Sequence, residues 1–312
     1  MIKANALTKI YGSLQAVDDI SFKVQPGEVL GFLGPNGAGK STTMRMFAGF
    51  VEPTSGDAEI CGYSIQRQPT DAKRCLGYLP EGAPSYGEMT PRDFLEFIAR
   101  IRGMSGTKKR ARMDDVIEQL HIDKVLDQTI DTLSKGFKRR VGIAQAILHD
   151  PPVLIMDEPT DGLDPNQKHE VRELIQSMSA DKIIVISTHI LEEVDAVCNR
   201  SIIIANGRIV ANETPESLIN RSRFHNAVTI RFGRVAELQD IGNEIRLLED
   251  VDHVEIDENH RSLTAFPAGE NLILRPISDL CWQKSWPVEQ LHLESGRLDE
   301  VFRSITTAEA LT

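Results

Sequence analysis

The stretch Gly34-Pro35-Asn36-Gly37-Ala38-Gly39-Lys40-Ser41 matches the pattern G-x-x-x-x-G-K-[ST], and it decides how the rest of the chain is interpreted. The apolar run Val29–Leu33 precedes it and indicates a buried strand, whereas Lys40–Ala48 is typical of a helix that ends at Gly49. A glycine-rich loop between a strand and a helix lets backbone N–H groups turn toward phosphate oxygens at the positive end of the helix. The loop therefore predicts a bound nucleotide.

Two side chains of this loop have predicted roles of their own. Lys40 is expected to reach the β- and γ-phosphates of the nucleotide, and the hydroxyl of Ser41 is expected to ligate Mg²⁺. A glycine-rich turn without a ligand is the alternative, and the strand–loop–helix context disfavours it. The remaining predicted nucleotide contacts of this segment are Gly34, Pro35, Asn36, Gly37, Ala38, Gly39 and Thr42.

A second acidic element follows the apolar run Val153–Met156, which indicates a strand buried on both faces. This strand delivers Asp157 and Glu158 at its carboxyl end, where ligands bind in open α/β sheets. Asp157 is predicted to hold Mg²⁺ through water, and Glu158 is predicted to orient and polarise the attacking water as the catalytic base. A strand that ends in two solvated acids is the alternative, and the preceding phosphate loop favours the metal site.

Further apolar runs of strand length alternate with helical stretches, as in a parallel sheet that helices cover on both faces. These runs are Ile183–Ile186 and Ser201–Ala205, and Asn206-Gly207 after the second run predicts a hairpin turn. Residues 86–150 are predicted to form a helical insertion, because Thr90 begins a capping signal and apolar residues follow at helical spacing. The sequence therefore predicts an α/β core that carries a helical subdomain.

The end of the chain differs from the core in charge and in pattern. Residues 223–312 hold 16 acidic and 9 basic side chains, and strand-like runs (AVTIRF, HVEID and SLTAF) alternate with helical stretches. We predict an ATP-binding domain over 1–222 and a small accessory α+β domain over 223–312. The accessory domain is predicted either to stabilise a dimer or shield an edge, or to regulate the ATPase.

Composition excludes several classes of protein. The chain has 312 residues, of which 41% are hydrophobic and 26% charged, as in soluble globular proteins of two domains. The net charge of −11 supplies no basic footprint for nucleic acid. Four scattered cysteines without a C-x-x-C pair disfavour a zinc or redox site and suit a reducing compartment. We expect no signal peptide and no membrane span, so that any membrane role requires a partner.

Further motifs occur in an order that resembles the ATP-binding cassette (ABC) family. Leu133–Phe137 reads LSKGF and resembles the family signature LSGGQ, and the acidic pair follows it. Asp161–Asp164 resembles the D-loop, and Ser187-Thr188-His189 ends a strand as the switch histidine of the family does. Tyr11 lies where the family stacks an aromatic ring on adenine. The resemblance covers residues 2–220 and implies a P-loop NTPase core of the ABC type.

The resemblance implies that two copies of the chain form a homodimer, with two ATP molecules sandwiched head to tail. Ser134 fits an N-cap before the helix Phe137–Leu148, and an N-cap with free N–H groups makes a second anion site. In the family this site faces the γ-phosphate bound to the other subunit. The resemblance therefore implies that Ser134, Lys135, Gly136 and Asp164 belong to the nucleotide site.

Two aromatic side chains complete the implied site. His189 is expected to hydrogen-bond the γ-phosphate within its own subunit, as a second catalytic residue, and a satisfied histidine at a strand end is the alternative. Tyr11 is expected to stack on adenine, and a packing residue of an edge strand is the alternative.

Three residues depart from the family pattern. Lys135 and Phe137 replace a glycine and the glutamine of the signature, and Lys135 is either a phosphate contact in trans or a solvated lysine at a helix start. Glu81, in Gly77–Glu81, stands where the family has the Q-loop glutamine, and its carboxylate is a candidate ligand of Mg²⁺ or water. Together the sequences LSKG and GYLPE resemble an export branch that handles drugs, polysaccharides or lipids.

The resemblance implies the ATPase subunit of a membrane exporter, which lies in the cytoplasm on the inner face of the membrane through separate transmembrane subunits. A groove near Tyr86, Met89 and Phe94 is the candidate docking surface, with core packing as the alternative. The second hypothesis is a soluble ABC ATPase that acts on nucleic acid or ribosomes. It is disfavoured because the chain has one phosphate loop and an acidic balance. The signature segment and His189 disfavour a P-loop kinase or GTPase, and a GTPase would also need an N-K-x-D motif, which the sequence lacks.

Overall fold

A computed structural model describes residues 1–83, 85–233, 237–269 and 271–308. Backbone contacts divide the chain into two units, the first formed by Met1–Pro215 with residues from Ile305 onward, and the second by Glu216–Ser304. Each unit has a hydrophobic core of its own. The domain boundary at 222/223 stays a prediction.

The first unit contains ten strands in the part of the chain that the structure describes. They are β1 (Ile2–Tyr11), β2 (Leu14–Val24), β3 (Val29–Leu33), β4 (Ser55–Ile60), β5 (Tyr63–Ser64), β6 (Leu76–Leu79), β7 (Val153–Asp157), β8 (Ile183–Thr188), β9 (Arg200–Ala205) and β10 (Arg208–Glu213). Four of them form an antiparallel sheet in the order β2-β1-β4-β5, and the other six form a sheet in the order β10-β9-β3-β8-β7-β6.

The six-stranded sheet is parallel except for β10. Every residue of β3, β7 and β8 is buried, which explains why these strands are continuously apolar rather than alternating. The register pairs Leu33 with Thr188 and Asp157 with Ser187. The carboxyl ends of β3, β7 and β8 therefore lie side by side, and the predicted α/β fold is confirmed.

The helices of the first unit cover the sheet and form the predicted insertion. They are α1 (Lys40–Phe47), α2 (Pro69–Arg74), α3 (Pro91–Ile101), α4 (Gly106–Gln119), α5 (Lys135–Ile147), α6 (Pro165–Ser179) and α7 (Leu191–Val197). The hydroxyl of Thr90 caps α3 by accepting a hydrogen bond from the N–H of Asp93 at 3.1 Å, as the sequence predicts. The helical subdomain is formed by α3, α4 and α5, together with two short 3₁₀ turns.

The predicted hairpin is present between β9 and β10. Asn206 and Gly207 both have positive φ angles, of 48° and 80°, which is the backbone geometry that a two-residue hairpin turn of this type requires. Ala205 pairs with Arg208 across the turn. The core of the unit includes Phe22, whose ring centroid lies 5.8 Å from those of Phe32 and Phe47.

The second unit is an antiparallel sheet with helices against it. Its strands, in the order β12-β13-β11-β14, are β11 (Val228–Phe232), β12 (Val251–Asp257), β13 (Ser262–Pro267) and β14 (Val288–Leu293). The helices α8 (Pro215–Asn220), α9 (Leu238–Ile245), α10 (Leu274–Gln283) and α11 (Leu298–Ala308) complete the described elements. The sequence predicted three of the strands but not β14, whose exposed residues outnumber its partly buried ones.

No helix in the described ranges has the length and apolar character needed to cross a bilayer.

Candidate functional site

The predicted phosphate loop lies between the carboxyl end of β3 and the start of α1. Gly37 and Gly39 have φ angles of +80° and +107°, which favour glycine over any residue with a Cβ atom. A Cβ atom on Gly39 would lie 2.4 Å from the carbonyl oxygen of Ala16, and one on Gly34 would lie 2.4 Å from that of Ile204. The loop is therefore shaped by contacts with distant backbone as well as by its own turn.

Lys40 is folded back over the loop. Its Nζ donates to the carbonyl oxygens of Gly34 at 2.6 Å and Pro35 at 3.1 Å, and the side chain is buried. Burial lowers the pKa of Lys40, whereas the negative charges of Glu158, Asp157 and Glu81 raise it. The three predicted acids therefore act electrostatically on the same ammonium group.

Asp157, the last residue of β7, is buried at the carboxyl edge of the sheet. Its Oδ1 accepts a hydrogen bond from the hydroxyl of Ser187, whereas its Oδ2 is buried without a hydrogen-bond partner. A buried carboxylate oxygen without a donor needs a cation or water beside it. This oxygen fits Mg²⁺, which typically takes one or two carboxylates and completes its shell with phosphate oxygens and water.

Glu158 directly follows this strand and has a φ of +53°, an unusual conformation for a residue with a side chain. Its N–H donates to the carbonyl of Ser187 at 3.0 Å, and its Oε1 lies 2.9 Å from Nδ1 of His189. Burial raises the pKa of Glu158, and His189 and Lys40 partly offset that effect. The turn therefore places the Glu158 carboxylate, with its raised pKa, where its charge acts on Lys40 of the phosphate loop.

Known proteins share sequence with a large part of this chain. Residues 17–161 match the sequence profile of the family described as ABC transporter. The Nod factor export ATP-binding protein I of Paraburkholderia xenovorans (strain LB400) is 40% identical over 219 residues, which cover 70% of this chain and 72% of that protein. The chain belongs to the ABC transporter family. The Nod factor export ATP-binding protein I of Rhizobium etli is 35% identical and covers 75% of each chain.

Solved structures of ABC ATPases share the fold. An ATP-binding subunit of an ABC transporter superposes with a TM-score of 0.67 at 32% identity, covering 71% of this chain and 92% of that one. The dimeric ATP-binding cassette MJ0796, in a post-hydrolysis state bound to ADP and Pi, has a TM-score of 0.64 at 23% identity, over 69% of this chain and 99% of that one. The chain is thus an ATP-binding ATPase of the ABC type.

The signature segment of this ABC ATPase lies at the start of α5. The hydroxyl of Ser134 accepts a hydrogen bond from the N–H of Phe137 at 3.4 Å, which caps the helix as predicted. Lys135 and Ser134 are exposed, whereas Gly136 is buried so close to Gln167 that a Cβ atom would lie 2.6 Å from its Oε1. The hydrogen bonds of Ser134 are thus local to α5 and do not reach the phosphate loop within one chain.

Asp164 caps α6 in a way that sequence reasoning missed. Its side chain accepts a hydrogen bond from the N–H of Gln167 at 2.9 Å, and the Gln167 side chain accepts one from the N–H of Asp164. This capping box holds the loop that carries Gly162 beside Lys135. The structure therefore brings the signature segment and the D-loop together.

Two predicted site residues lie at the edges of this arrangement. Tyr11 ends β1 with its ring half exposed, and Nζ of Lys9 lies 5.0 Å from the ring centroid. Glu81 is exposed in the turn that follows β6, and its charge acts on Lys40. Ser41 and Thr42 are half-buried in the first turn of α1.

No sequence pattern indicated that a buried acid contacts Thr188, the residue before His189. Glu193 is 2% exposed and accepts hydrogen bonds from the hydroxyls of Thr160 and Thr188, the second at 2.9 Å. The same Thr188 hydroxyl accepts a hydrogen bond from the N–H of Ile190 at 3.0 Å, so both neighbours of His189 are held. In the sequence, Glu193 is one of several acids in an amphipathic helix.

Arg139 is a second buried group that sequence reasoning missed. It is 3% exposed, lies 3.5 Å from the carbonyl oxygens of Pro80 and Asp157, and lies 3.8 Å from a carboxylate oxygen of Asp161. Burial lowers the pKa of Arg139, and nearby acids offset that effect, with Asp161 the largest contributor. This arginine connects α5 to the turns that carry Glu81 and Glu158.

Proposed function

We propose that this chain is the ATP-hydrolysing subunit of an ABC-type exporter and that ATP-driven closure of a homodimer drives transport by separate membrane subunits. The observation that carries the proposal is the convergence of Lys40, Asp157, Glu158 and His189 at the carboxyl edge of one parallel sheet. Export is supported by relatives named as Nod factor export ATP-binding proteins, which align over most of their length. These relatives do not favour the nucleic-acid or ribosome alternative.

Each residue of the cluster has a distinct proposed role. The loop Gly34–Ser41 wraps the phosphates of ATP with backbone N–H groups, and Lys40 contacts the β- and γ-phosphates. Ser41, Asp157 and Glu81 are the proposed holders of Mg²⁺. The ion, when bound, neutralises charge on the phosphates during transfer.

Glu158 is the proposed general base. Its burial raises its affinity for a proton, and the hydrogen bond to His189 fixes its direction. His189, which is more than half exposed, is the proposed contact of the γ-phosphate. Tyr11, with its exposed ring face, is the proposed support for adenine.

The signature segment has its role in the partner's site. Ser134 and Lys135 are exposed at the start of α5 and Gly136 follows them, and a helix start of this kind attracts anions. In the proposed dimer they contact the nucleotide of the second chain together with Asp164. Dimeric cassettes of the same fold support this arrangement.

The proposed location is the cytoplasm, at the inner face of the cell membrane, through the membrane partner. A cavity beside α3 is the proposed docking surface. Tyr86 and Phe94 line this cavity as the sequence predicts, whereas Met89 is not among its lining residues.

Substitution of Glu158 tests this function. We expect Glu158→Gln to retain ATP binding, to slow ATP hydrolysis by at least about 100-fold and to accumulate as a nucleotide-bound dimer. The matched control is Glu192→Gln, which changes an exposed glutamate three positions after His189 and should leave turnover unchanged. Turnover of Glu158→Gln at the normal rate would reject Glu158 as the base. Lys40→Ala should weaken nucleotide binding, and normal affinity would reject the phosphate loop.

A further inference from the structure

Arg139 is a buried arginine of α5 whose contacts span two turns at the carboxyl edge of the six-stranded sheet. Its Nη1 lies 3.5 Å from the carbonyl oxygens of Pro80 and Asp157, and its Nη2 lies 3.8 Å from Oδ2 of Asp161. A guanidinium removed from water needs acceptors around it. The three oxygens belong to the turn after β6, to the last residue of β7 and to the loop that follows β7.

Two of these acceptors lie on either side of Glu158. Asp157 directly precedes Glu158, and Asp161 closes the turn after it, because the N–H of Asp161 donates to the carbonyl oxygen of Glu158 at 3.1 Å. One guanidinium therefore contacts both ends of the turn that carries the proposed base.

The turn that carries Glu81 is contacted by the same guanidinium. The carbonyl oxygen of Pro80 accepts a hydrogen bond from the N–H of Ala83 at 3.1 Å, and Arg139 approaches that same oxygen. The helix packs closely at this point, since a Cβ atom on Gly142 would lie 2.8 Å from the Cβ atom of Ala83. The place of the guanidinium therefore follows from the close packing of α5 on the end of β6.

The backbone conformation of Glu158 explains why this turn needs support. A φ of +53° is unfavourable for a residue with a Cβ atom, and such conformations persist only where the surrounding contacts determine them. One restraint comes from β8, where the carbonyl oxygen of Ser187 accepts a hydrogen bond from the N–H of Glu158 at 3.0 Å. The contacts of Arg139 add a second restraint, which comes from α5.

Arg140, the next residue of α5, is buried as well but has different partners. Its Nη2 donates to Oε2 of Glu170 at 2.7 Å, and its Nη1 donates to the carbonyl oxygen of Leu120 at 3.1 Å. These short contacts join α5 to α6 and to the end of α4. Arg139 instead makes longer contacts with the two turns described above, and this difference separates its role from that of a contact between helices.

We propose that Arg139 is a positioning residue of the ATPase, which holds the turn around Glu158 and thereby fixes the direction of its carboxylate. The same side chain ties this turn to the one that carries Glu81. Arginine suits this role, because its planar guanidinium presents several donors at once, whereas the ammonium group of lysine is a single point of charge. The inference rests on Glu158 as the base proposed above, and it adds the residue that holds that base in place.

The test compares three substitutions in the full chain. Arg139→Gln removes the charge and the planar fork, whereas Arg139→Lys keeps the charge alone. Asp161→Asn changes the partner, whose side chain is 67% exposed, so this variant keeps the test available if substitution of the buried arginine prevents folding. Lys138→Gln, which neutralises a less buried cation of the same helix, is the matched control. The measurements are kcat, KM and nucleotide affinity, with melting temperature as the check on folding.

We expect Arg139→Gln to lower kcat at least about tenfold while nucleotide affinity changes by less than about twofold, because the lost contacts act on the base and not on the phosphate loop. Arg139→Lys should recover part of this loss, and Asp161→Asn should lower kcat about threefold or more. Lys138→Gln should leave kcat unchanged. A normal kcat in Arg139→Gln or in Asp161→Asn would overturn the proposal, as would a loss of nucleotide affinity as large as the loss of kcat.

A double variant shows whether the effect passes through the base. In a Glu158→Gln background, Arg139→Gln should cause no further loss of single-turnover hydrolysis, because the group that it positions is already absent. A further loss of about tenfold in the double variant would overturn the positioning role and leave Glu158 as the base. A normal rate in Glu158→Gln alone would instead reject the base itself, and with it this inference.

Discussion

Replacement of Gly39 by alanine separates the two physical reasons for glycine in the phosphate loop. The φ of +107° alone costs an alanine about 1 to 2 kcal/mol. The new Cβ atom would also lie 2.4 Å from the carbonyl oxygen of Ala16, and overpacking of this kind costs about 1 to 3 kcal/mol more. Gly37 is the matched control, because its φ is +80° and a Cβ atom there would have no neighbour within 4 Å.

We therefore expect Gly39→Ala to destabilise the first unit by about 2 to 5 kcal/mol, and Gly37→Ala by about 1 to 2 kcal/mol. Scanning calorimetry of the full chain without nucleotide measures both losses. Fluorescence supplies an internal control, because the two tryptophans, Trp282 and Trp286, lie in the second unit and should report unchanged unfolding of that unit. Losses that agree within about 0.5 kcal/mol would refute the argument that the Ala16 carbonyl excludes a side chain.

Two further predictions concern buried groups that the sequence did not mark. Glu193→Ala leaves the two buried hydroxyl groups of Thr160 and Thr188 without their acceptor. We therefore expect the free energy of unfolding to fall by about 1 to 3 kcal/mol and ATP hydrolysis to slow. The control Glu192→Ala, at the exposed neighbouring residue, should change the free energy of unfolding by less than about 0.5 kcal/mol. Burial lowers the pKa of His149 from 6.5 to about 4, so the imidazole takes up a proton more readily in the unfolded chain than in the native state. The free energy of unfolding should therefore fall by about 2 to 3 kcal/mol as the pH falls from 6.5 to 4. His149→Gln should flatten this part of the stability–pH curve, measured by urea denaturation at each pH, and an unchanged slope would contradict the assignment.

The loop and the strand ends that form the candidate nucleotide site could be predicted from the sequence because their signals are local. The loop around Lys40 needs glycines, a lysine and a hydroxyl at fixed spacing, since one short turn must present its N–H groups to one phosphate chain. The continuous apolar runs before Gly34 and Asp157 predicted the buried strands for a related reason, because a strand covered on both faces has no polar side. The parallel register then brings the two ends together.

Buried polar groups whose partners are distant in the sequence could not be predicted from a local motif. Glu193 contacts Thr160, which is 33 positions away, and Arg139 reaches the turns that carry Glu81 and Glu158. The left-handed backbone of Glu158 and the orphaned oxygen of Asp157 are likewise consequences of packing. Hydrophobic periodicity reports which face of an element is buried, and it carries no information on which buried polar group lies opposite.

The cavity beside α3 shows the same division most clearly. Lys73 lies in α2, Arg102 follows α3 and Lys108 lies in α4, and only the packing of these elements beside β6 places the three side chains around one cavity. Motif spacing was enough to indicate a nucleotide site, because the proposed contacts of the triphosphate come from one continuous segment and one strand end. Tertiary contacts decided the charge around this cavity and the hydrogen bonds beside His189, because both depend on residues that lie far apart in the sequence and close together in the fold.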